Sequence, residues 1–543
     1  MTPWTARFAL AAALIGVSTV GPLLAPAQRE AASIVIVTGQ QGTTPIPTLM
    51  EGAQNSLANN EIADHLFLRL AGIGPGMVTA GDRGFVPLLA RRWIRRDSLT
   101  LVFDLDPRAR WHDGIPVTSR DVIFTMGRAR DPAIAPRLTN VTRRIAGVEA
   151  EGDHRVVFRF TEVYAEQLYD ATFHVAILPS HLLAGLPPTR EAWSPFAARP
   201  VGSGPYRLVR REEGQFTELA ANPEFFLGRP AIERVIVRVA VSTDARINLL
   251  LSGEADAMDN IPPPITNLAR VQAAPHLRVV TVPSNLIGYL LFNQRAPGHR
   301  DRPHPILADR DVRRALVLAL DRELLVRAVI GPYGRVPFGP VSSQLWIRHG
   351  APSPTRQDQG TARQLLVGRG WVDRDGDGIR ENRAGAPLSL RLLVSASSLQ
   401  RTQMAAVIQE QYRQVGVDLQ QVRVEPAVWL GRRAAGDFDI DFSSAGLDPS
   451  PSGLVFSWSC EGAGNVAGYC DRGADSLLHQ AIASPEPDRR LWHAFLRRVE
   501  ENAPAAFLYS QAFAFGVNRR FREVTIRPES SWIALWRWPA PGS

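Results

Sequence analysis

Residues 101–126, LVFDLDPRARWHDGIPVTSRDVIFTM, constrain the fold more than any other stretch of this chain. Apolar and polar residues alternate at the start, so Leu101, Phe103 and Leu105 fall on one face of a strand. Trp111 and the turn pair Asp113-Gly114 follow, then Pro116. Thr118 stands before an apolar helical run with Asp121 three positions on. In such a Thr-x-x-Asp start the hydroxyl accepts a backbone N–H and the carboxylate faces the positive helix end. The stretch therefore reads as strand, tight turn and capped helix. β and α signals alternate along the rest of the chain and make it mixed α/β.

Residues 33–37, SIVIV, read as a first strand and 61–70 as a helix. Strands follow near 84–89, 99–105 and 155–160, with helices over 121–130 and 165–173. Strands near 205–220 and 232–240 lead to a helix over 243–252, capped by Thr243, with Ile247, Leu250 and Leu251 as its buried stripe. The pattern changes near 284. Strand LIGYLLFN and a charged loop precede a helix from Val312 to Val329, with Val312, Ala315, Leu316, Ala319 and Leu320 on one face. Strands at 388–394 and 417–424 flank a helix at 401–415, and a helix near 427–435 precedes the strand DFDIDF. Helices over 474–483 and 487–501 and the strand FLYSQAFAFGV close the series.

Hydrophobic residues make up 45% of the chain and charged residues 21%, which excludes a disordered polymer. The net charge is +8 and every basic residue is Arg. Arg-Arg pairs are scattered from position 91 to 519 instead of forming a basic patch. They fit the compositional bias of a GC-rich genome better than a nucleic-acid surface. At the N-terminus Arg7, the apolar run FALAAALIGVSTVGPLLA and Ala25-Pro26-Ala27 have the layout of a secretory signal peptide over 1–27. Gly16 and Gly21-Pro22 disfavour a spanning helix, a retained anchor being the alternative. Neither of the two cysteines, Cys460 and Cys470, follows the signal, so no lipidated cysteine tethers the mature chain. These features point to the periplasm. In that oxidising compartment the two cysteines can form a disulfide, the Gly-rich EGAGNVAGY loop letting it close; a metal pair is the weaker alternative.

Four further segments follow 101–126 in order. They are VGSGPYRL at 201–208, NPEFFLGRPAIERVIVRV at 222–239, LLFNQRAP with DVRRALVLALDRELLV at 311–326, and GWVDRDGDGIRENRAGAPLSLRLLV at 370–394. Together with the aromatic-His-Asp-Gly turn they resemble, in register, the family 5 extracytoplasmic solute-binding proteins, which deliver oligopeptides, dipeptides and similar solutes to ABC importers. The resemblance covers roughly residues 33–530. It implies an α/β, two-lobed periplasmic binding protein fold (type II, the large oligopeptide-binding subclass) with two hinge crossings. The implied lobes are 28–283, with an extra subdomain over about 60–190, and 284–505, with 506–543 returning to the first. Rotation is expected about residues near Tyr289 and Phe507, and hinge closure buries a ligand in the cleft between lobes.

No catalytic constellation emerges. His112 beside Asp113 has no nucleophile elbow or metal-binding helix to accompany it, and reads as a structural turn residue. Asp373, Asp375 and Asp377 before Gly378 open like a Ca²⁺ loop, but position twelve is Ala384 and a strand follows, so a tight acidic turn is the better reading. No metal site and no cofactor is expected. Peptide binders of the resembled family pair an acid, three positions before an Asp-Pro step, with the peptide's amino terminus. Here that position is Ala445, and Asp448 of Asp-Pro reads as a turn former. A buried ammonium without a partner costs several kcal/mol. A free-amino peptide would therefore need another acid, Asp439 or Asp441, which share a strand face with Asp437. The candidate ligand-binding set is Tyr289, Asn293, Ser395, Arg401, Asp439, Asp441, Ala445, Gly446 and Trp458, with Trp429 and Tyr469 as further apolar walls. The expected function is capture of a peptide-like or other medium-sized solute by a monomer that delivers it to ABC permease subunits in the inner membrane. A solute sensor or chaperone-like binder on the same fold, and a secreted hydrolase, are the alternatives. A neighbouring permease gene, a neighbouring sensor kinase gene, or turnover of an ester or peptide would separate the three.

Overall fold

The computed structural model describes residues 32–41, 46–47, 57–135, 138–262 and 265–542; the expected signal peptide lies outside the described residues. An eleven-stranded mixed sheet runs through both lobes. From one edge its order is Asp418–Val424, Ser389–Ser395, Ile440–Gly446, Leu277–Phe292, Ala505–Asn518, Ala257–Met258, Ser33–Thr38, Arg234–Val239, Phe216–Ala221 and Tyr206–Glu212. Gly334–Arg335 adds to the side of Ala505–Asn518. The two long central strands are antiparallel and cross from one lobe to the other, as expected.

Each lobe has its own hydrophobic core, while a further cluster joins Ala80 and Ala165 of the first lobe to residues of the second. Val282, Phe515 and Val517 join the first lobe's core, with Ile34, Ile36 and Val235. Leu290, Phe292, Ala506, Leu508 and Tyr509 join a core of the second lobe, with Leu392, Ile408 and Phe442. The ladder between the crossing strands is interrupted between Pro283 and Ile287, opposite Ala512 and Ser510. Pro283 has no N–H to donate, and Ser284 hydrogen bonds instead to Ser343 Oγ and to Gln511 O. Tyr289 and Phe507 are paired in register and buried within the second lobe. The irregularity thus falls several residues to the first-lobe side of the expected pivot, and 506–509 pack with the second lobe.

A four-stranded antiparallel sheet, Ala90–Asp97, Thr100–Leu105, Arg155–Phe160 and Ile145–Ala150, forms the first lobe's subdomain. The helix Ser119–Ala129 packs on it, and its start is built as its sequence implies. Asp121 Oδ2 accepts from Thr118 N at 2.8 Å and from Trp111 Nε1 at 3.3 Å, while Oδ1 accepts from Ser180 N at 2.8 Å.

Three helices depart from expectation, the one read over 61–70 being found at Leu57–Leu66. The run from Val312 to Val329 is two helices, Arg310–Leu318 and Arg322–Val329. Asp321 caps the second by accepting from Leu324 N at 2.8 Å, and its own N–H donates to Gln411 at 2.9 Å, so one continuous helix gives way to a capped break. The helix Thr243–Leu251 is capped by Ser242 instead of Thr243, and Leu251 is only half-buried.

Candidate functional site

In both lobes the parallel strands end towards the crossing. Ser33–Thr38 runs parallel to Ala257–Met258, which pairs with Gly516 and Val517 of the second crossing strand. Ser389–Ser395 runs parallel to Asp418–Val424 and Ile440–Gly446, and Gly446 lies opposite Leu286 beside the ladder irregularity. Carboxyl ends of parallel strands are where open α/β sheets bind ligands. A shallow crevice opens here between the lobes. Asn260 and Ile261 line it from the first lobe, Gln400 and Tyr333 from the second, and Gln511 from the crossing strand.

The expected site residues divide into two groups. Ser395, Ala445 and Gly446 lie at the ends of their strands, and Arg401 in the first turn of the helix Leu399–Arg413, next to the crevice residue Gln400. Ser398 caps the helix Leu399–Arg413 by accepting from Arg401 N at 3.3 Å. The half-buried Arg401 side chain donates to Ser444 Oγ, reaches Tyr509 OH and stacks over Trp429 at 5.5 Å. Among the described residues no carboxylate pairs with it.

Tyr289, Asn293, Asp439, Asp441 and Trp458 lie inside the second lobe. Asn293 donates to the carbonyls of Gly436 and Phe438, at 3.0 and 2.8 Å, and accepts from Arg295 N. Tyr289, Trp458 and Phe507 form one aromatic cluster, with Trp458 edge-on to both partners at 5.7 and 5.2 Å between centroids. Asp441, fully buried, accepts from Trp429 Nε1 at 2.9 Å, Arg433 Nε at 3.0 Å and Ser443 Oγ at 2.9 Å. Burial still pushes its carboxyl upward. Asp439 accepts from His304 at 3.1 Å and from the Arg391 backbone and side chain. Burial alone would raise it, but those donors hold it below the usual range. Both acids already have a full set of partners, so neither presents a free carboxylate to an ammonium. Trp429, expected as a wall, occupies the space between Arg401 and Arg433.

Cys460 and Cys470 are joined, S–S 2.08 Å, as expected. Asp373, Asp375, Asp377 and Glu381 place ligand atoms within 4.8 Å of one another. Their oxygens already accept from Gly376, Gly378, Asp377, Ile379 and Arg374 backbone N–H groups, which builds the acidic turn. Gln400, Gln511 and Asn260 are the cleft residues that sequence reasoning missed; neutral amides carry no local signal. Among the described residues no helix is long and apolar enough to cross a membrane.

The chain is 26% identical over 409 residues to an oligopeptide-binding protein of Bacillus subtilis, covering 74% of this chain and 73% of that protein. It is 26% identical over 481 residues to a probable di/tripeptide-binding protein of Pseudomonas aeruginosa, covering 83% and 85%. The solved structure of the Bacillus subtilis protein with a nonapeptide superimposes with a TM-score of 0.75 at 23% identity, over 94% of this chain and 98% of that one. A nickel-histidine complex of NikZ from Campylobacter jejuni gives 0.76 at 21% identity, over 94% and 100%. A family model described as bacterial extracellular solute-binding proteins, family 5 Middle, matches residues 84–466. With two lobes, two crossing strands and a cleft at the strand ends, the chain belongs to the family 5 bacterial extracellular solute-binding proteins.

Proposed function

We propose that the chain closes its lobes on a peptide-like or other medium-sized solute and delivers it to the permease of an ABC importer, working as a periplasmic monomer released by signal cleavage after Ala27. The lobes are the units near 28–283 and 284–505, with 506–509 staying with the second and the rest of the C-terminal return with the first, turning about the irregular ladder at 283–287 and 510–512. Relatives named as oligopeptide- and di/tripeptide-binding proteins support the solute class.

The observation that carries the site is Arg401. A cation in the first turn of a helix sits at the wrong end of the helix dipole, and this one is half-buried beside hydroxyl groups without a carboxylate. An anionic ligand group would complete it. Ala445 offers no acid for an amino terminus, and Asp439 and Asp441 have other partners. The ligand therefore places an anion at Arg401 and leaves the strand Ile440–Gly446 without an ammonium. Gently purified periplasmic protein, examined by native mass spectrometry, should carry one small anionic solute per chain. Retention of cationic solutes alone, or turnover of a bound ester or peptide, would overturn the reading.

A further inference from the structure

The lobes also meet at a buried carboxylate that no cation neutralises among the described residues. Glu166 precedes the helix Gln167–Thr172 in the first lobe's subdomain and is 6% exposed. Its Oε1 accepts from Thr79 Oγ1, in the same lobe, at 2.6 Å. Its Oε2 accepts from Ser450 Oγ at 2.5 Å and from Ser452 Oγ, both in the second lobe. Across the same seam Tyr169 OH donates to Asp448 Oδ1, and Ala165 N donates to Ser484 O at 2.8 Å. Asp448 is the turn former its sequence implies, accepting from Ser450 N at 2.8 Å, and it also meets the opposite lobe.

The charged and titratable groups around Glu166 are mostly acidic. Asp170, Tyr164 and Tyr169 face it from its own segment, and Asp448 from the other lobe. Tyr164 OH donates to Asp170 at 2.8 Å, and Arg144 lies over the Tyr164 ring at 4.6 Å. His174, which burial pushes downward, interacts with Asp448 and Arg69. Burial pushes the Glu166 carboxyl upward and Asp448 adds to this, against the pull of the three hydroxyl donors.

We propose that Glu166 is a proton-linked clasp, so that the lobes close with uptake of a proton and acid favours the closed state. This rests on the reading of the chain as a closing binding protein. When the lobes part, water replaces Ser450 and Ser452, and Glu166 returns towards the ordinary carboxylate range of about 4.3. The closed state raises its pKa. Closure is therefore fully supported below the open-state pKa and loses that support as pH rises through the closed-state value.

Spin labels on the exposed Arg83→Cys and Arg490→Cys, which flank the seam, report the fraction of closed molecules in the ligand-free protein. As the pH falls from about 8 to about 4, the closed-to-open ratio should rise, by at most about tenfold per pH unit for one proton. Glu166→Gln, close in shape and unable to ionise, should stay flat. Ser452→Ala removes a donor from the charged form and should move the rise to higher pH. A flat wild-type titration, or a Glu166→Gln curve that follows the wild type, overturns the clasp. Either result leaves the transport reading standing, because that reading is tested by the solute carried on purification.

Discussion

His112 and Gly202 exchange two backbone-anchored hydrogen bonds: the His112 N–H donates to Gly202 O at 2.7 Å, and the Gly202 N–H donates to His112 Nδ1 at 3.1 Å. The remaining ring nitrogen, Nε2, stands 3.1 Å from Gly204 O, so the network places the proton on Nε2 and leaves Nδ1 as acceptor. A Cβ on Gly202 would sit 1.9 Å from the Leu66 carbonyl oxygen, and one on Gly204 2.3 Å from that of His65. The aromatic-His-Asp-Gly turn and the Gly-Ser-Gly-Pro element, 90 residues apart, are therefore two halves of one joint.

Acid should loosen this joint. Protonating Nδ1 sets one N–H against another, and burial holds His112 down at about 4; buried His65 is likewise held at about 4. The unfolded value is about 6.5. Each histidine thus supports the fold above about pH 6.5 and loses that support as pH falls through the folded value. The unfolding free energy from denaturant titration should decline across this window, by an amount on the order of 1–3 kcal/mol per histidine. His112→Gln should start less stable and decline less. An equal decline in both proteins would assign the acid sensitivity elsewhere.

The joint also shows where sequence reading stops. Local pattern is enough for the strand, turn and capped helix of 101–126, whereas the two crossings come from the family resemblance and the disulfide from the oxidising compartment and the Gly-rich loop. It makes His112 a turn residue, but nothing local names Gly202 as its partner. Asp439 and Asp441 look available on alternation alone, yet His304 and Arg391 arrive from other elements to occupy Asp439. The break at Asp321 follows from a long-range acceptor, Gln411, as much as from the capping side chain. The Glu166 seam joins residues 284 apart, beyond any periodicity.

The disulfide closes a loop with a sequence separation of 10. A loop of that length should contribute about 2–3 kcal/mol by restricting the unfolded chain. Reduction, or Cys460→Ser with Cys470→Ser, should lower the unfolding free energy by that much, with a lower midpoint, while leaving a folded protein. An unchanged midpoint would mean that packing of Trp458 and Tyr469 already orders the loop.

Arg401 should matter to binding far more than to folding, because its side chain is half-buried and its hydrogen bonds go to hydroxyls at the cleft. A charge-assisted hydrogen bond contributes roughly 1.5–3 kcal/mol. Arg401→Ala should therefore weaken the solute carried on purification about ten- to a hundredfold in Kd, with a thermal midpoint close to wild type. Arg401→Lys should recover part of the loss, as a point charge without the planar fork. Equal affinity in wild type and Arg401→Ala, read by calorimetry, would remove Arg401 from the site.

Ala445 tests the ligand's other end. It lies opposite Ile287, half-buried, and one residue from the Ser444 hydroxyl that meets Arg401. Adjacent strand residues face opposite sides, so an acid at 445 would not be captured by Arg401. Free-amino peptides should bind the wild type poorly, and N-acetylated peptides or non-peptide anions better. Ala445→Asp should invert that preference, gaining about ten- to a hundredfold for free-amino peptides. Calorimetry with one peptide in free and N-acetylated form, on both proteins, decides it. Suppose the wild type already binds the free peptide and N-acetylation abolishes binding. Then another group anchors the amine. Since the partners of Asp439 and Asp441 leave neither free, the first-lobe carboxylates Asp259, next in sequence to the crevice residue Asn260, and Glu61, which interacts with Asp259, would be the next positions to change. Burial raises these two to about 6 and about 7. An ammonium arriving beside them would return both to the charged form, and its binding would release protons as measured in buffers of different ionisation enthalpy.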